Sequence, residues 1–73
     1  MKGRKPMKIS ARNQIPGKII EIIKGATTSH VLIDIGGKVI TASITNESVA
    51  EMNLQAGEPA IAIIKASDVI VGA

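Results

Sequence analysis

Apolar and polar residues alternate along two neighbouring segments of the chain, and this pattern predicts a β-hairpin. Every second residue of an extended strand points to the same face. In residues 28–35, one face carries Val31, Ile33 and Ile35. In residues 38–44, one face carries Ile40, Ala42 and Ile44. Gly36 and Gly37 separate the two segments, and paired glycines between alternating runs are typical of a two-residue hairpin turn.

Four further segments are predicted to form short strands. They are residues 8–12, 17–24, 60–66 and 68–71. The segment 17–24 is rich in isoleucine, a β-branched residue that favours strands, and Pro16-Gly17 before it predicts a turn. Many short strands separated by turn signals are typical of a small closed barrel. The sequence therefore predicts an all-β fold, a small OB-like antiparallel barrel of five strands.

One short helix is predicted between the hairpin and the last strands. Thr45 or Asn46 can cap its N-terminus, and Glu47 lies in the first turn, where the helix dipole favours an acid. Val49 and Met52 are three residues apart, so they are expected to share a buried face. The helical pattern ends after about two turns, at residues 53–57, which contain Asn53 and Gly57.

The composition indicates one small domain that gains stability by assembly. The chain has 73 residues and no Cys, Phe, Trp or Tyr. Neither a disulfide nor an aromatic core can stabilise so short a chain, so an oligomer is expected. The lack of Cys fits a cytoplasmic protein. No run approaches the about 18 apolar residues of a membrane span, and no apolar segment of a secretory signal follows the basic start.

Positive charge is concentrated at the N-terminus. Residues 1–18 hold six of the nine basic residues and no acid, whereas residues 19–73 hold three lysines and all six acids. Such an end can attract anions, or it can be a solvated terminal extension. Residues 1–7 are interpreted as a basic, flexible arm, and residues 8–73 as a single ligand-binding domain.

Catalytic and zinc-binding functions are disfavoured by the residues present. The sole histidine, His30, alternates with Leu32 and Asp34 in a predicted strand, and there is no cysteine nucleophile. One His without Cys excludes the usual zinc ligand sets. The acids are scattered singly, so no carboxylate pair is predicted. OB-like barrels often bind single-stranded nucleic acid by stacking bases on aromatic rings. This chain has no such ring except His30, although the basic arm keeps nucleic-acid binding as an alternative.

Three polar patches are richer in hydrogen-bond donors than folding requires. They are residues 10–14 (Ser-Ala-Arg-Asn-Gln), 45–48 (Thr-Asn-Glu-Ser) and 65–68 (Lys-Ala-Ser-Asp). Each patch alone has a structural explanation, because it can be a solvated strand end, a helix cap or a charged edge strand.

Taken together, the motifs resemble the molbindin, or Mop-type, family of molybdate-binding domains within the TOBE group. The resemblance rests on residues 9–14, 17–18, 44–49 and 64–69 and covers about residues 9–71. It implies an OB-like fold and an assembly of the hexameric, trimer-of-dimers type. It also implies that the oxyanion is bound by Ser10, Arg12, Thr45, Ser48, Lys65 and the backbone amide of Ala66. Ala11, Asn13 and Ser67 are secondary candidates.

The chemistry of these residues fits a tetrahedral dianion. Molybdate carries no proton at neutral pH, so its oxygens only accept hydrogen bonds, and the candidate side chains are donors. Glu47 and Asp68 lie near the motifs and are expected to point away from the ligand.

The sequence thus predicts cytoplasmic binding, storage or buffering of molybdate, or of tungstate in its place. It predicts no catalysis, no covalent cofactor and no metal ligated by side chains. The sites are expected to be shared between chains, with Arg12 and Lys65 of one site on different subunits. The alternatives are a nucleic-acid-binding module and a structural oligomerisation module without a ligand.

Overall fold

The computed structural model describes residues 8–73, so the predicted basic arm, residues 1–7, lies outside the described residues. Its elements are β1 (Asn13–Lys24), β2 (Thr28–Asp34), β3 (Val39–Thr45), α1 (Asn46–Glu51), β4 (Pro59–Ile64) and a 3-10 turn (Ala66–Asp68). The strands form one antiparallel sheet in the order β3-β2-β1-β4. The sheet curls into a half-barrel beside one short helix, which confirms the predicted all-β, OB-like fold class.

The curl originates in β1, the longest strand, which pairs with two different neighbours along its 12 residues. Its first half pairs with β4, from Asn13 opposite Ile64 to Lys18 opposite Pro59. Its second half pairs with β2, and the register shifts by a bulge between Ile19 and Glu21. A bulge bends its strand and increases the local twist. Consequently the two halves of β1 face different neighbours, and the sheet wraps around its concave side.

The core lies on that concave side and is small. Only five apolar residues are buried within residues 8–73, and they are Ala11, Ile19, Val31, Ile33 and Ala62. An open apolar hollow of about 660 Å³ continues from them between β3 and β4. Large apolar side chains also remain exposed, among them Ile70 at 92% and Val71 at 88%. One copy of the chain therefore buries little of the apolar surface that its sequence provides.

The hairpin and the helix start follow the sequence prediction closely. Gly36 and Gly37 adopt φ of 104° and 97°, a region that favours glycine. The backbone N–H groups of Gly37 and Gly36 donate to Asp34 Oδ1 over 2.9 and 3.0 Å. These two bonds hold the pKa of the Asp34 carboxyl below its ordinary value of 3.8, and Lys18 lowers it further. Of the two predicted cap candidates, Thr45 is the N-cap of α1, and Asn46 is the first residue of the helix.

Several predicted boundaries are wrong. Residues 8–12 contain no strand, and residues 68–71 carry the end of a 3-10 turn and an unpaired extended segment. The sheet of the described residues has four strands, and its edges β3 and β4 do not pair. The predicted turn at Pro16-Gly17 lies inside β1. Met52 is the C-cap of α1 and is 65% exposed, so it does not share a buried face with Val49.

Candidate oxyanion-binding site

The first and last polar motifs lie side by side at one end of the sheet. Asn13, the first residue of β1, pairs with Ile64, the last residue of β4. The Asn13 side chain reinforces this junction, since its Nδ2 donates to the Ile64 carbonyl over 3.1 Å. Arg12 and Lys65 directly flank this pair, and both are exposed. The strand pairing therefore brings two cations of one chain to the same end of the fold.

We call this region the cation end and define it by Ser10, Arg12, Lys65 and Ala66. All four residues are exposed, so their donors are accessible. Ala66 begins the 3-10 turn that follows β4. Among the secondary candidates, Ala11 is 4% exposed and packs as part of the core, while Ser67 is exposed. Asn13 uses its amide in the strand junction, which indicates a structural role for that side chain.

The middle motif forms a pair of linked hydroxyls at the start of α1. Thr45 Oγ1 accepts the backbone N–H of Ser48 over 3.0 Å. The Thr45 hydroxyl in turn donates to Ser48 Oγ over 2.9 Å. A hydroxyl has one proton to donate, so the Thr45 proton is used within the pair and the Ser48 proton is available to a ligand. We call Thr45 and Ser48 the hydroxyl end.

The cation end and the hydroxyl end are separated within one chain. Thr45 is the last residue of β3, the opposite edge of the sheet from β4, and it pairs with Thr28 of β2. Thr45 lies at the end of the sheet that holds Lys24 of β1, since Lys24 pairs with Ser29 and Thr45 pairs with the adjacent Thr28, whereas Arg12 precedes the Asn13 end. At about 3.3 Å per residue, the contour of β1 between these ends is on the order of 36 Å. The fold thus joins two of the three motifs and holds the third apart.

One acidic side chain lies close to the hydroxyl end, and another lies close to the cation end. Glu47 is exposed and lines a shallow hollow of about 400 Å³ together with Thr45, Asn46, Ala26 and Thr27. Ser48 does not line this hollow. A dianion is repelled by a carboxylate, so it is better accommodated on the Ser48 side of the helix start than in the hollow. Asp68 is exposed at the end of the 3-10 turn, three residues beyond Lys65.

One residue near the site, Ser29, was missed by the sequence analysis, and its partner Asn46 was considered only as a possible helix cap within a polar patch. Ser29 is 2% exposed, and its hydroxyl donates to Asn46 Oδ1 over 2.5 Å. The signal was present in the alternation of β2, because Ser29 occupies the same inward-facing set as Val31 and Ile33. A polar residue at a core position needs a hydrogen-bonding partner, and that partner is the first residue of α1.

The fold and these motifs define a class of protein, a small OB-like half-barrel with hydrogen-bond donors displayed at both ends of its sheet. The family follows from sequence comparison. The TOBE domain model matches residues 9–71, and this chain belongs to the TOBE domain family as a Mop-type molbindin. The resemblance inferred from the motifs is therefore confirmed.

Similar proteins cover nearly the whole chain. The "Probable molybdenum-pterin-binding protein" of Haemophilus influenzae is 49% identical over 67 residues, which are 90% of this chain and 97% of the relative. A molybdate binding protein from Sporomusa ovata has a solved structure with a TM-score of 0.88 and 36% identity, covering 92% of this chain and 100% of that chain. The cytoplasmic molybdate-binding protein ModG, solved with molybdate bound, has a TM-score of 0.84 and 43% identity, covering 88% of this chain and 46% of ModG.

Proposed function

We propose that this protein binds molybdate, with tungstate as an equivalent ligand, in sites assembled from more than one copy of the chain. The observation that carries the proposal is the set of donors at the cation end and the hydroxyl end, all on exposed residues except the half-buried Ser48. These are a guanidinium, an ammonium, hydroxyls and a backbone amide. Solved relatives that share the fold over about nine tenths of this chain are molybdate-binding proteins.

The donor set matches the chemistry of a tetrahedral oxyanion. Arg12 offers a planar fork of N–H groups, Lys65 offers a compact charge, and Ser48 offers a neutral donor. Hydrogen bonds from charged donors to an anion are about twice as strong as neutral ones. Both cations are exposed, so neither has to be stripped of a buried partner before a ligand arrives.

The separation of the two ends favours a shared site. One chain cannot easily place Thr45 and Ser48 against the anion that Arg12 and Lys65 hold, because the sheet separates them. A second copy can supply its hydroxyl end to the cation end of the first. Both cations can then come from one chain, and the split of Arg12 and Lys65 between subunits that the sequence suggested is not needed.

The same proposal includes the biological role. Residues 8–73 act as a single Mop-type domain that stores or buffers the oxyanion in the cytoplasm and catalyses no reaction. The assembly is a homo-oligomer, a hexamer built as a trimer of dimers. Within the described residues, no helix is long and apolar enough to cross a membrane. The exposed apolar side chains supply the surface that assembly needs to bury.

Titration calorimetry with molybdate, tungstate and phosphate tests the proposal. Molybdate and tungstate should bind tightly and at similar strength. Phosphate carries at least one proton at neutral pH, and neither the guanidinium, the ammonium nor the backbone amide of the site can accept a hydrogen bond from it. Leaving a donor unpaired costs about 1–3 kcal/mol, which is roughly a fivefold to 150-fold loss of affinity. Absence of molybdate binding, or phosphate binding as tightly as molybdate, contradicts the proposal.

A further inference from the structure

Ser29 and Asn46 form a partly buried hydrogen bond next to the hydroxyl end. Within residues 8–73, Ser29 is the one buried residue with a polar side chain, and it lies among the apolar residues of the concave face. Its hydroxyl donates to Asn46 Oδ1. Asn46 is the first residue of α1 and follows Thr45 in the chain. The connection thus runs from the core to the residue adjacent to the N-cap.

Asn46 also binds the loop that joins β1 to β2. Its Nδ2 donates to the carbonyls of Gly25 and Ala26 over 3.0 and 3.3 Å. Its backbone N–H donates to the Thr27 carbonyl over 2.9 Å. Oδ1, Nδ2 and the backbone N–H are therefore all engaged, and they fix the start of α1 against both the core and the loop.

We propose that Asn46, anchored by Ser29, is a positioning residue that sets the location of the Thr45 and Ser48 hydroxyls for oxyanion binding. This inference rests on the proposed function. A six-residue helix has few contacts of its own with which to hold its first turn in place. Hydrogen bonds lose strength steeply with poor distance and angle, so a mobile helix start would present the Ser48 proton in many orientations rather than one.

Neither Ser29 nor Asn46 contributes a group to the ligand in this scheme. The Ser29 hydroxyl is buried. The Asn46 amide is engaged with Ser29 and the loop. Their effect on affinity must therefore pass through Thr45 and Ser48. This dependence separates a positioning role from a direct contact and from a general contribution to stability.

The test measures molybdate affinity of the intact assembly by calorimetry for Asn46→Ala and Ser29→Ala. Each variant should bind molybdate about tenfold more weakly, the lower end of the effect typical of residues that orient ligand-contacting groups. Ser43→Ala, a serine exposed on β3, and Gln55→Ala, an exposed amide after α1, are matched controls that should keep wild-type affinity. Ser29→Ala removes one oxygen from a core position, so it reports on the connection even if Asn46→Ala does not fold.

The decisive measurement repeats Asn46→Ala in a Thr45→Ala/Ser48→Ala background. The positioning role requires no further loss of affinity there, because the groups that Asn46 orients are gone. A further tenfold loss in that background would mean that Asn46 acts elsewhere and would overturn the inference. Wild-type affinity in both Asn46→Ala and Ser29→Ala would overturn it while leaving molybdate binding intact. A wild-type protein that does not bind molybdate would remove the proposed function and this inference together.

Discussion

A mixture of two binding-defective variants should recover tight molybdate sites if one site combines the cation end of one chain with the hydroxyl end of another. The cation-end variant carries Arg12→Ala and Lys65→Ala. The hydroxyl-end variant carries Thr45→Ala and Ser48→Ala. The structure places these two sets at opposite ends and opposite edges of one sheet. If a site combines the cation end of one copy with the hydroxyl end of another, each variant alone has only defective sites.

The expected losses follow from the donors that each variant removes. A hydrogen bond to a charged group contributes about 1.5–3 kcal/mol and a neutral one about 0.5–1.5 kcal/mol. Each lost cation should therefore weaken binding by about tenfold to 150-fold. The hydroxyl-end variant loses the free donor of Ser48 and the hydroxyl of Thr45 that polarises it. It also loses the N-cap, which costs the helix about 1 kcal/mol, so its affinity should fall by at least about tenfold.

Co-refolding the two variants in equal amounts provides the assay. By random assortment, about a quarter of the sites receive an intact cation end and an intact hydroxyl end. Calorimetry should then show a tight class of sites at about a quarter of wild-type capacity. A second mixture, Arg12→Ala with Lys65→Ala, should show no tight sites, because both cations come from one chain. Native mass spectrometry, with one variant isotopically labelled, confirms subunit exchange.

Two results would refute this reasoning. If exchanged mixtures of the cation-end and hydroxyl-end variants contain no tight sites, each chain builds its own site despite the separation of its motifs. If instead the mixture of Arg12→Ala with Lys65→Ala recovers tight sites, the two cations of a site come from different subunits, as the sequence alone suggested.

Three further outcomes are expected. Light scattering at micromolar concentration should give the mass of an oligomer, most simply a hexamer, because one copy leaves apolar side chains such as Ile70 and Val71 exposed. A monomer mass would contradict this expectation. Gly17→Ala should lower the free energy of unfolding by about 1–3 kcal/mol, measured by chemical unfolding followed by circular dichroism. The reason is that a Cβ at residue 17 would lie 2.6 Å from the Asp34 carbonyl oxygen. The control Gly72→Ala should be neutral, because a Cβ there meets no atom within 4 Å. Because the pKa of Asp34 is lower in the folded state than its ordinary value of 3.8, the ionised carboxylate stabilises the fold above pH 3.8, and this stability is lost as the pH falls through the folded-state pKa. The melting temperature of Asp34→Asn should therefore fall less between pH 5 and pH 2 than that of the wild type. An equal fall in both proteins would contradict this prediction.

The sequence predicted best those features that local chemistry determines. The hairpin was predicted because paired glycines between alternating runs are typical of a two-residue turn. The helix start was predicted because Thr45 or Asn46 can cap a helix and Glu47 suits its first turn. Alternation also identified Val31 and Ile33 as core residues. None of these features depends on distant parts of the chain.

Pro16 and Gly17 show why other features could not be predicted locally. Both are typical turn residues, yet both lie inside β1. Ile19 donates its N–H to Glu58 on the β4 side, so the nitrogen of Pro16, three residues earlier, faces the other edge. There β2 begins to pair only at Lys18, and no ladder bond is lost to proline. Gly17 is required because the backbone of β2 approaches it closely. Both reasons arise from the tertiary pairing of β1.

The small core and the divided site are two consequences of one architecture. A sheet that curls only halfway leaves its apolar hollow and two of its edges uncovered, and it also holds its cation end and hydroxyl end apart. Assembly can correct both conditions at once, because the contact that buries apolar surface also brings the ends of different copies together. A ligand that binds only the assembled form stabilises it by mass action. Molybdate binding and subunit association should therefore strengthen each other, and dilution should weaken both, to a degree that a single-chain site would not show.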